Sequence, residues 1–156
     1  MERLTKEMSK SEIEKEVSKW GDYVQIDNLT RFLKTNPGLA FDTKRFIYQK
    51  LGEVYEKRRM FFDSAISYEK VGEACVLRPE KIKNFLKAIN NYIKSGYFDR
   101  ADETARKSLR ESSSQERAEI LKSLREFYKQ EAERGIKENK RSSTVKVYER
   151  MLEMAT

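Results

Sequence analysis

A chain of 156 residues is the size of one domain and can bury roughly two-thirds of the surface that its unfolded form exposes. It carries 33 Lys and Arg against 26 Asp and Glu, and the net charge of +7 favours acidic partners, whether nucleic acid, an anionic membrane or an acidic protein surface. Histidine is absent, which excludes Cys–His and Ser–His nucleophile systems, and the single Cys75 excludes an intramolecular disulfide.

The compartment that we expect is the reducing cytoplasm. The sequence has no run of 18 apolar residues, so no membrane span is predicted. Its first residues, MERLTKEMSKSEIEKEV, lack the apolar core of a secretory signal. The lone cysteine fits a reducing environment as well.

Apolar residues recur at helical spacing along almost the whole chain, and no alternating strand pattern with turn dipeptides is present. The predicted helices cover residues 9–20, 23–35, 42–58, 61–77, 80–95, 98–111, 115–136 and 142–154. Pro37 and Gly38 end the second helix, and Pro79 favours the start of the fifth, where its missing N–H costs nothing. Short connections between helices of this length predict an all-α fold of antiparallel hairpins.

Two neighbouring segments share one arrangement of large and small residues. In the first, Tyr48, Leu51, Gly52 and Tyr55 lie on one predicted helix and Phe61, Ser64, Tyr68 and Val71 on the next. In the second, the corresponding residues are Phe85, Ala88, Ile89 and Tyr92, then Gly96, Phe98, Ala101 and Ala105. This pattern resembles the tetratricopeptide repeat (TPR), W-x₂-L-G-x₂-Y…A-x₃-F…P over about 34 residues. The resemblance implies helix hairpins stacked in a right-handed α-α superhelix.

We expect one domain over residues 1–156. The clear repeats cover about 45–78 and 82–111, and degenerate repeats flank them at about 7–37 and 116–154. Starting points at residues 7, 45, 82 and 118 give spacings of 38, 37 and 36. The segment between Tyr128 and Thr144 is about two helical turns longer than the repeat pattern. Trp20 has two open interpretations: it caps the first hairpin, or it stands exposed as a contact residue.

A finer resemblance involves YEKVGEAC and KNFLKAINNYIKSGYFDRA. These stretches are similar to the SNAP family of soluble attachment proteins, a TPR-like branch with longer helices and loops. That resemblance implies an adaptor that grips a coiled-coil bundle through a basic face. This chain is much shorter than members of the family, so we use the resemblance for helix geometry alone.

The TPR resemblance also implies a binding surface. In that family the first helix of each hairpin lines a concave wall, and the matching positions here are Lys50, Lys57, Lys83, Lys87, Asn90, Lys94, Lys122 and Lys129. The four in the fifth helix fall at i, i+4, i+7 and i+11, which is one helical face. Our hypothesis is that an acidic peptide or helix binds there. Glu53 and Glu126 stand where family members that clamp a C-terminal carboxylate need other residues, so we do not expect that activity.

Other readings stay open. Lys137, Lys140 and Arg141 form a second basic patch that could contact phosphate, and the alternative function is a nucleic-acid-associated basic helical protein. Against this, the aromatic residues needed for base stacking occupy packing positions. Self-association through Met151, Leu152 and Met154 of the last helix is a third reading. We expect no catalysis, cofactor or metal site, because no catalytic pair, Gly-rich phosphate loop or metal-ligand spacing occurs.

Overall fold

The computed structural model describes residues 4–110 and 112–155, with side chains up to residue 153. Within these ranges the chain forms eight α-helices and no β-strand. The helices are α1 Lys10–Val17, α2 Asp22–Thr35, α3 Phe41–Lys57, α4 Phe61–Ala74, α5 Arg78–Lys94, α6 Phe98–Arg110, α7 Ser114–Lys137 and α8 Arg141–Ala155. The prediction of an all-α fold is confirmed. In the described part of the chain, none of the helices has the length and apolar character needed to cross a bilayer.

Two helix ends differ from the prediction. Helix α1 ends at Val17 rather than residue 20. The Gln25 side-chain amide stabilises the turn that follows by donating to the carbonyls of Val17 (3.2 Å) and Trp20 (2.9 Å). Helix α4 ends at Ala74 rather than residue 77, since Cys75 has an extended backbone (ψ 135°) and the chain turns to begin α5. Trp20 is partly buried against the first core cluster, where it helps to close the α1–α2 turn.

Local sequence explains several helix starts. Ser9 and Glu12 form a capping box at α1, and Ser113 and Glu116 form another at α7. In each, the serine hydroxyl accepts from the backbone N–H three residues on (3.2 Å in both), and the glutamate accepts in return. Pro79 lies in the first turn of α5, where no intrahelical hydrogen bond is lost.

Helices that follow one another in the chain pack together from α2 to α8, and α5 also packs against α7. The core has two clusters. One joins α1, α2 and α3 through Ile13, Val17, Leu29, Phe32, Ile47 and Leu51. The other runs from α4 to α8 and contains Tyr92 and Tyr128, both almost completely buried. The larger part of the buried core therefore lies between α4 and α8.

Glycine lets the helices approach closely where the two clusters meet. A Cβ atom at Gly52 of α3 would lie 3.0 Å from the Tyr68 ring of α4. The Ser64 hydroxyl donates to the Gly52 carbonyl at 2.8 Å in the same crossing. The predicted pairing of a small residue on one helix with a bulky one on the next is thus present between α3 and α4.

The turns at the ends of α3, α5 and α7 have the same backbone geometry. Arg59, Gly96 and Asn139 all have positive φ angles (60°, 81° and 59°). The residue after each donates its N–H to a carbonyl five positions back, at 2.8–2.9 Å. This is the left-handed helix cap that glycine adopts without cost and that asparagine tolerates better than most residues.

Arg59 is the least suitable of the three cap residues, so we expect Arg59→Gly to stabilise the protein. Glycine removes the steric cost that a residue with a Cβ atom has at positive φ. This gain in the free energy of unfolding exceeds the loss from the greater conformational entropy that glycine gives the unfolded chain. The expected gain is up to about 1 kcal/mol in the free energy of unfolding, measured by urea denaturation. Arg58→Gly is the matched control, and it should destabilise, since Arg58 has a negative φ and pairs with Asp22.

Candidate functional site

Helix α5 buries one side and carries basic residues on the other, where Lys83 is exposed and Lys87, Asn90 and Lys94 are half-buried. Phe85, Ala88, Ile89 and Tyr92 face the core, each at most 3% exposed. The opposite side carries Lys83, Lys87, Asn90 and Lys94, which we call the lysine stripe. The only acidic residue of α5 is Glu80 in its first turn, so no carboxylate of this helix neutralises the stripe.

Two of the stripe lysines lie over aromatic rings of α4. The Lys87 Nζ is 5.2 Å from the centre of the Tyr68 ring, and the Lys94 Nζ is 5.2 Å from that of Phe61. Cation–π contact orients an ammonium group without cancelling its charge. Neither Lys87 nor Lys94 forms an ion pair with another described residue. The side chains of Lys83 and Asn90 form no hydrogen bond with any described residue. The stripe therefore presents positive charge that no ion pair within the described residues neutralises, with Lys87 and Lys94 oriented by the rings of α4.

A buried amide fixes α5 against α3 and α4 beneath the stripe. The Asn91 side-chain amide donates to the Glu56 carboxylate (3.0 Å), the Lys87 carbonyl (3.1 Å) and the Ser64 hydroxyl (3.3 Å). Asn91 is 1% exposed, and its Oδ1 has no partner among the described residues. Because Glu56 is held by Asn91, it lies beside the stripe without pairing with its lysines.

The two predicted site lysines of α3 have acidic partners. Lys50 pairs with Glu14 of α1 at 2.6 Å, and its side chain is 23% exposed. Lys57 pairs with Asp22 of α2 at 3.3 Å. Burial of Asp22 acts to raise its pKa, but contacts with Lys57 and Arg58 outweigh this and lower it. These pairs join α3 to the first two helices, so an acidic partner at Lys50 or Lys57 would compete with Glu14 or Asp22.

Lys122 and Lys129 are exposed on α7, the helix that packs against α5. Glu126 lies between them and accepts a hydrogen bond from Gln130 (3.3 Å). The far end of α7 reaches the end of the stripe, where Arg134 donates to the Lys94 carbonyl at 3.3 Å. Helix α7 thus meets the end of the stripe at Lys94 and carries two further exposed lysines.

The second predicted patch lies at a tight turn. Lys137 is the last residue of α7, Arg141 is the first of α8, and Lys140 between them pairs with Glu138 at 3.0 Å. The extra residues that the sequence places between Tyr128 and Thr144 lengthen α7 instead of forming a loop. The patch is small, and one of its three charges is already neutralised.

The positive surplus of the protein is concentrated around α3 to α6. Residues 41–110 contain 16 Lys and Arg and 10 Asp and Glu, a difference of six out of the net seven. The field that attracts an acidic partner is therefore strongest over the middle helices.

The sequence did not indicate a polar network on the α4–α6 side of α5. The Tyr92 hydroxyl donates to Glu69 (2.6 Å) and accepts from Arg100 (3.1 Å), while Lys107 pairs with Glu69 at 2.5 Å. Burial of Glu69 acts to raise its pKa, but the bonds from Lys107 and Tyr92 outweigh it and hold the pKa below the ordinary value. This network ties α4, α5 and α6 together, and the Glu69 charge is paired within it.

The described residues offer no group of three or more His, Cys, Asp or Glu side chains that could hold a metal ion. Comparison of the chain with models of known families, with curated proteins and with solved structures found no match. The lysine stripe, on a helix whose opposite side is buried in the core, is the surface with the most distinctive chemistry.

Proposed function

We propose that this protein is a non-catalytic adaptor whose TPR-like stack binds an acidic peptide or helix along the lysine stripe. The observation that carries the proposal is the stripe itself, a helix face of three lysines and one asparagine with no acidic neighbour paired to it. Lys122 and Lys129 are exposed on α7, which packs against α5, and add positive charge to this part of the protein.

Two repeating features support a TPR-like arrangement. Tyr55, Tyr92 and Tyr128 recur at spacings of 37 and 36 residues on α3, α5 and α7. The left-handed caps at Arg59, Gly96 and Asn139 close the hairpins that follow these tyrosines. In such a stack α3, α5 and α7 line one wall, and the stripe lies in its centre.

The dimensions of the stripe suit an acidic ligand. From Lys83 to Lys94 the helix rises about 16 Å, with about 6 Å between Lys83 and Lys87 and about 10 Å between Lys87 and Lys94. An extended peptide places every second side chain on one side at about 6.7 Å, and a partner helix repeats acidic residues every three or four positions with a similar rise. Asn90 can both donate to and accept from a peptide backbone.

The proposal is tested by the binding of a fluorescein-labelled peptide in which Glu alternates with Ala, with Gln replacing Glu in the neutral probe. The variant Lys87→Glu/Lys94→Glu should lose at least about tenfold in affinity, because two attractive contacts become repulsive. Fluorescence anisotropy measures the Kd, and circular dichroism shows whether the variant remains folded.

The matched control is Lys137→Glu/Arg141→Glu, which lowers the net charge from +7 to +3 by the same four charges. It should bind the acidic peptide with an affinity close to that of the unaltered protein. Equal losses in both variants would mean that overall charge, not the stripe, drives binding. An unrelated single-stranded oligonucleotide that binds more tightly than the peptide, with a steep salt dependence, would contradict the proposal in favour of nucleic acid.

A further inference from the structure

An open apolar groove of about 370 Å³ lies where α2, α3 and α4 meet. Its floor is formed by Tyr48, Leu51 and Tyr55 of α3, and Leu33 of α2 forms one wall. Lys34 and Asp63 lie on the two rims. The groove is on the α2–α4 side of α3 and does not include the lysine stripe.

The matching junctions further along the chain are closed by charged side chains. Above Tyr92, Glu69 of α4 pairs with Lys107 of α6, and beside Tyr128, Asp102 of α6 pairs with Arg150 of α8 at 2.8 Å. At the first junction no hydrogen bond or ion pair joins the described residues of α2 to those of α4. Tyr55 and Leu33 both line the groove there, whereas Tyr92 bonds to Glu69 of α4, so α2 supplies no carboxylate bond of the kind that closes the next junction.

Helix α8 exposes an apolar stripe with a carboxylate beside it. Val145, Tyr148 and Leu152 are 50%, 45% and 69% exposed and fall at i, i+3 and i+7, on one side of the helix. Glu149 is exposed next to them and forms no ion pair with a described residue. The sequence indicated self-association through Met151, Leu152 and Met154; of these, Met151 packs partly against the core, only Leu152 belongs to the exposed stripe, and the Met154 side chain lies outside the described residues.

We propose that the α8 stripe of one copy of this chain binds in the α2–α4 groove of a second copy. The apolar side chains of the stripe cover the groove floor, and Glu149 meets Lys34 and the Tyr55 hydroxyl, the combination of lysine and tyrosine that Glu69 meets within one chain. Lys146, exposed on the same helix, faces the rim that carries Asp63. Charge complementarity therefore selects this occupant and its direction.

The contact joins different surfaces of the two copies, so it is head-to-tail. After two copies bind, one still has a free groove and the other a free α8 stripe. Further copies can add at both ends, so larger species form as the concentration rises. The proposal does not rest on the lysine stripe, which this contact leaves uncovered.

Light scattering coupled to size exclusion tests the contact over a concentration series of the unaltered protein and two variants. Thr30→Arg places a long charged side chain over the groove, and Leu152→Arg places one in the apolar α8 stripe. Both residues are exposed, so both variants should fold. The unaltered protein should grow beyond a dimer, and each variant alone should stay monomeric. Gln49→Arg and Ser143→Arg, at exposed positions outside both surfaces, should behave like the unaltered protein.

An equimolar mixture of the two variants decides the geometry. Thr30→Arg keeps an intact stripe and Leu152→Arg an intact groove, so the mixture should form a dimer and no larger species. An unaltered protein that remains monomeric at every concentration would overturn the proposal. Dimers of Thr30→Arg alone would also overturn it, because they would mean that two α8 stripes pair with each other. A mixture that stays monomeric while the unaltered protein assembles would overturn it as well.

Discussion

Replacing Tyr92 by alanine is expected to lower the free energy of unfolding by about 3–5 kcal/mol, the cost typical of removing a large buried aromatic side chain. Tyr92 is 0% exposed and lies where α4, α5 and α6 meet. Its ring contacts Phe62 (centroids 6.0 Å apart) and carries the Arg100 guanidinium at 5.3 Å. Such a loss is a large part of the stability of an ordinary domain, so the variant should unfold at a much lower urea concentration.

Two variants separate the parts of this effect, with urea denaturation followed by circular dichroism as the measurement. Tyr92→Phe keeps the ring but removes the donor to Glu69, and should cost about 1–2 kcal/mol, because Lys107 still satisfies the carboxylate. Tyr23→Ala removes a tyrosine that is 64% exposed and should change stability by about 0.5 kcal/mol or less. If Tyr92→Ala were no worse than Tyr23→Ala, α5 would not be the centre of the core.

A valine at Gly72 should destabilise the protein by about 2–3 kcal/mol. A Cβ atom there would lie 2.7 Å from two carbons of the Phe85 ring, and Phe85 is 3% exposed with no room to retreat. In an unconstrained helix, removing a glycine from the interior is favourable. The sign of the measured change therefore reports whether α4 and α5 pack at this closeness.

The double variant Gly72→Val/Phe85→Leu provides the control for this contact. Leucine is smaller than the ring, so the valine should cost less in that background than in the unaltered protein, giving a coupling energy of about 1 kcal/mol. A Gly72→Val protein as stable as the unaltered one, or more stable, would contradict the tight α4–α5 crossing. So would a double variant whose loss of stability equals the sum of the losses in the two single variants.

The sequence was enough to predict the helices and several of their contacts. Helical spacing of apolar residues located the eight helices of the described residues. The alternation of small and bulky positions predicted close packing between paired helices, and Gly52 and Tyr68 are the residues that the structure places in such a contact between α3 and α4. The end of α4 was not predictable from local spacing, because Val76 and Leu77 continue the apolar pattern although they are 89% and 68% exposed. The turn into α5 decides that boundary, and it depends on tertiary packing.

The candidate site was predictable only in part. The four stripe positions share a face because they lie on one helix, and periodicity alone establishes that. The ion pairs of Lys50 with Glu14 and of Lys57 with Asp22 join residues 35 or more positions apart. No pattern within a single helix reveals such partners, so the sequence could not separate these lysines from those of the stripe.

The most direct test of the lysine stripe as a binding surface is a titration of the isotopically labelled protein with the alternating Glu–Ala peptide, followed by amide chemical shifts. We predict that the largest changes fall on residues 83–94 of α5, with smaller ones near Lys122 and Lys129, and that the Gln–Ala peptide leaves the spectrum unchanged. Largest changes at residues 137–141, or changes spread evenly over every basic part of the chain, would contradict the account.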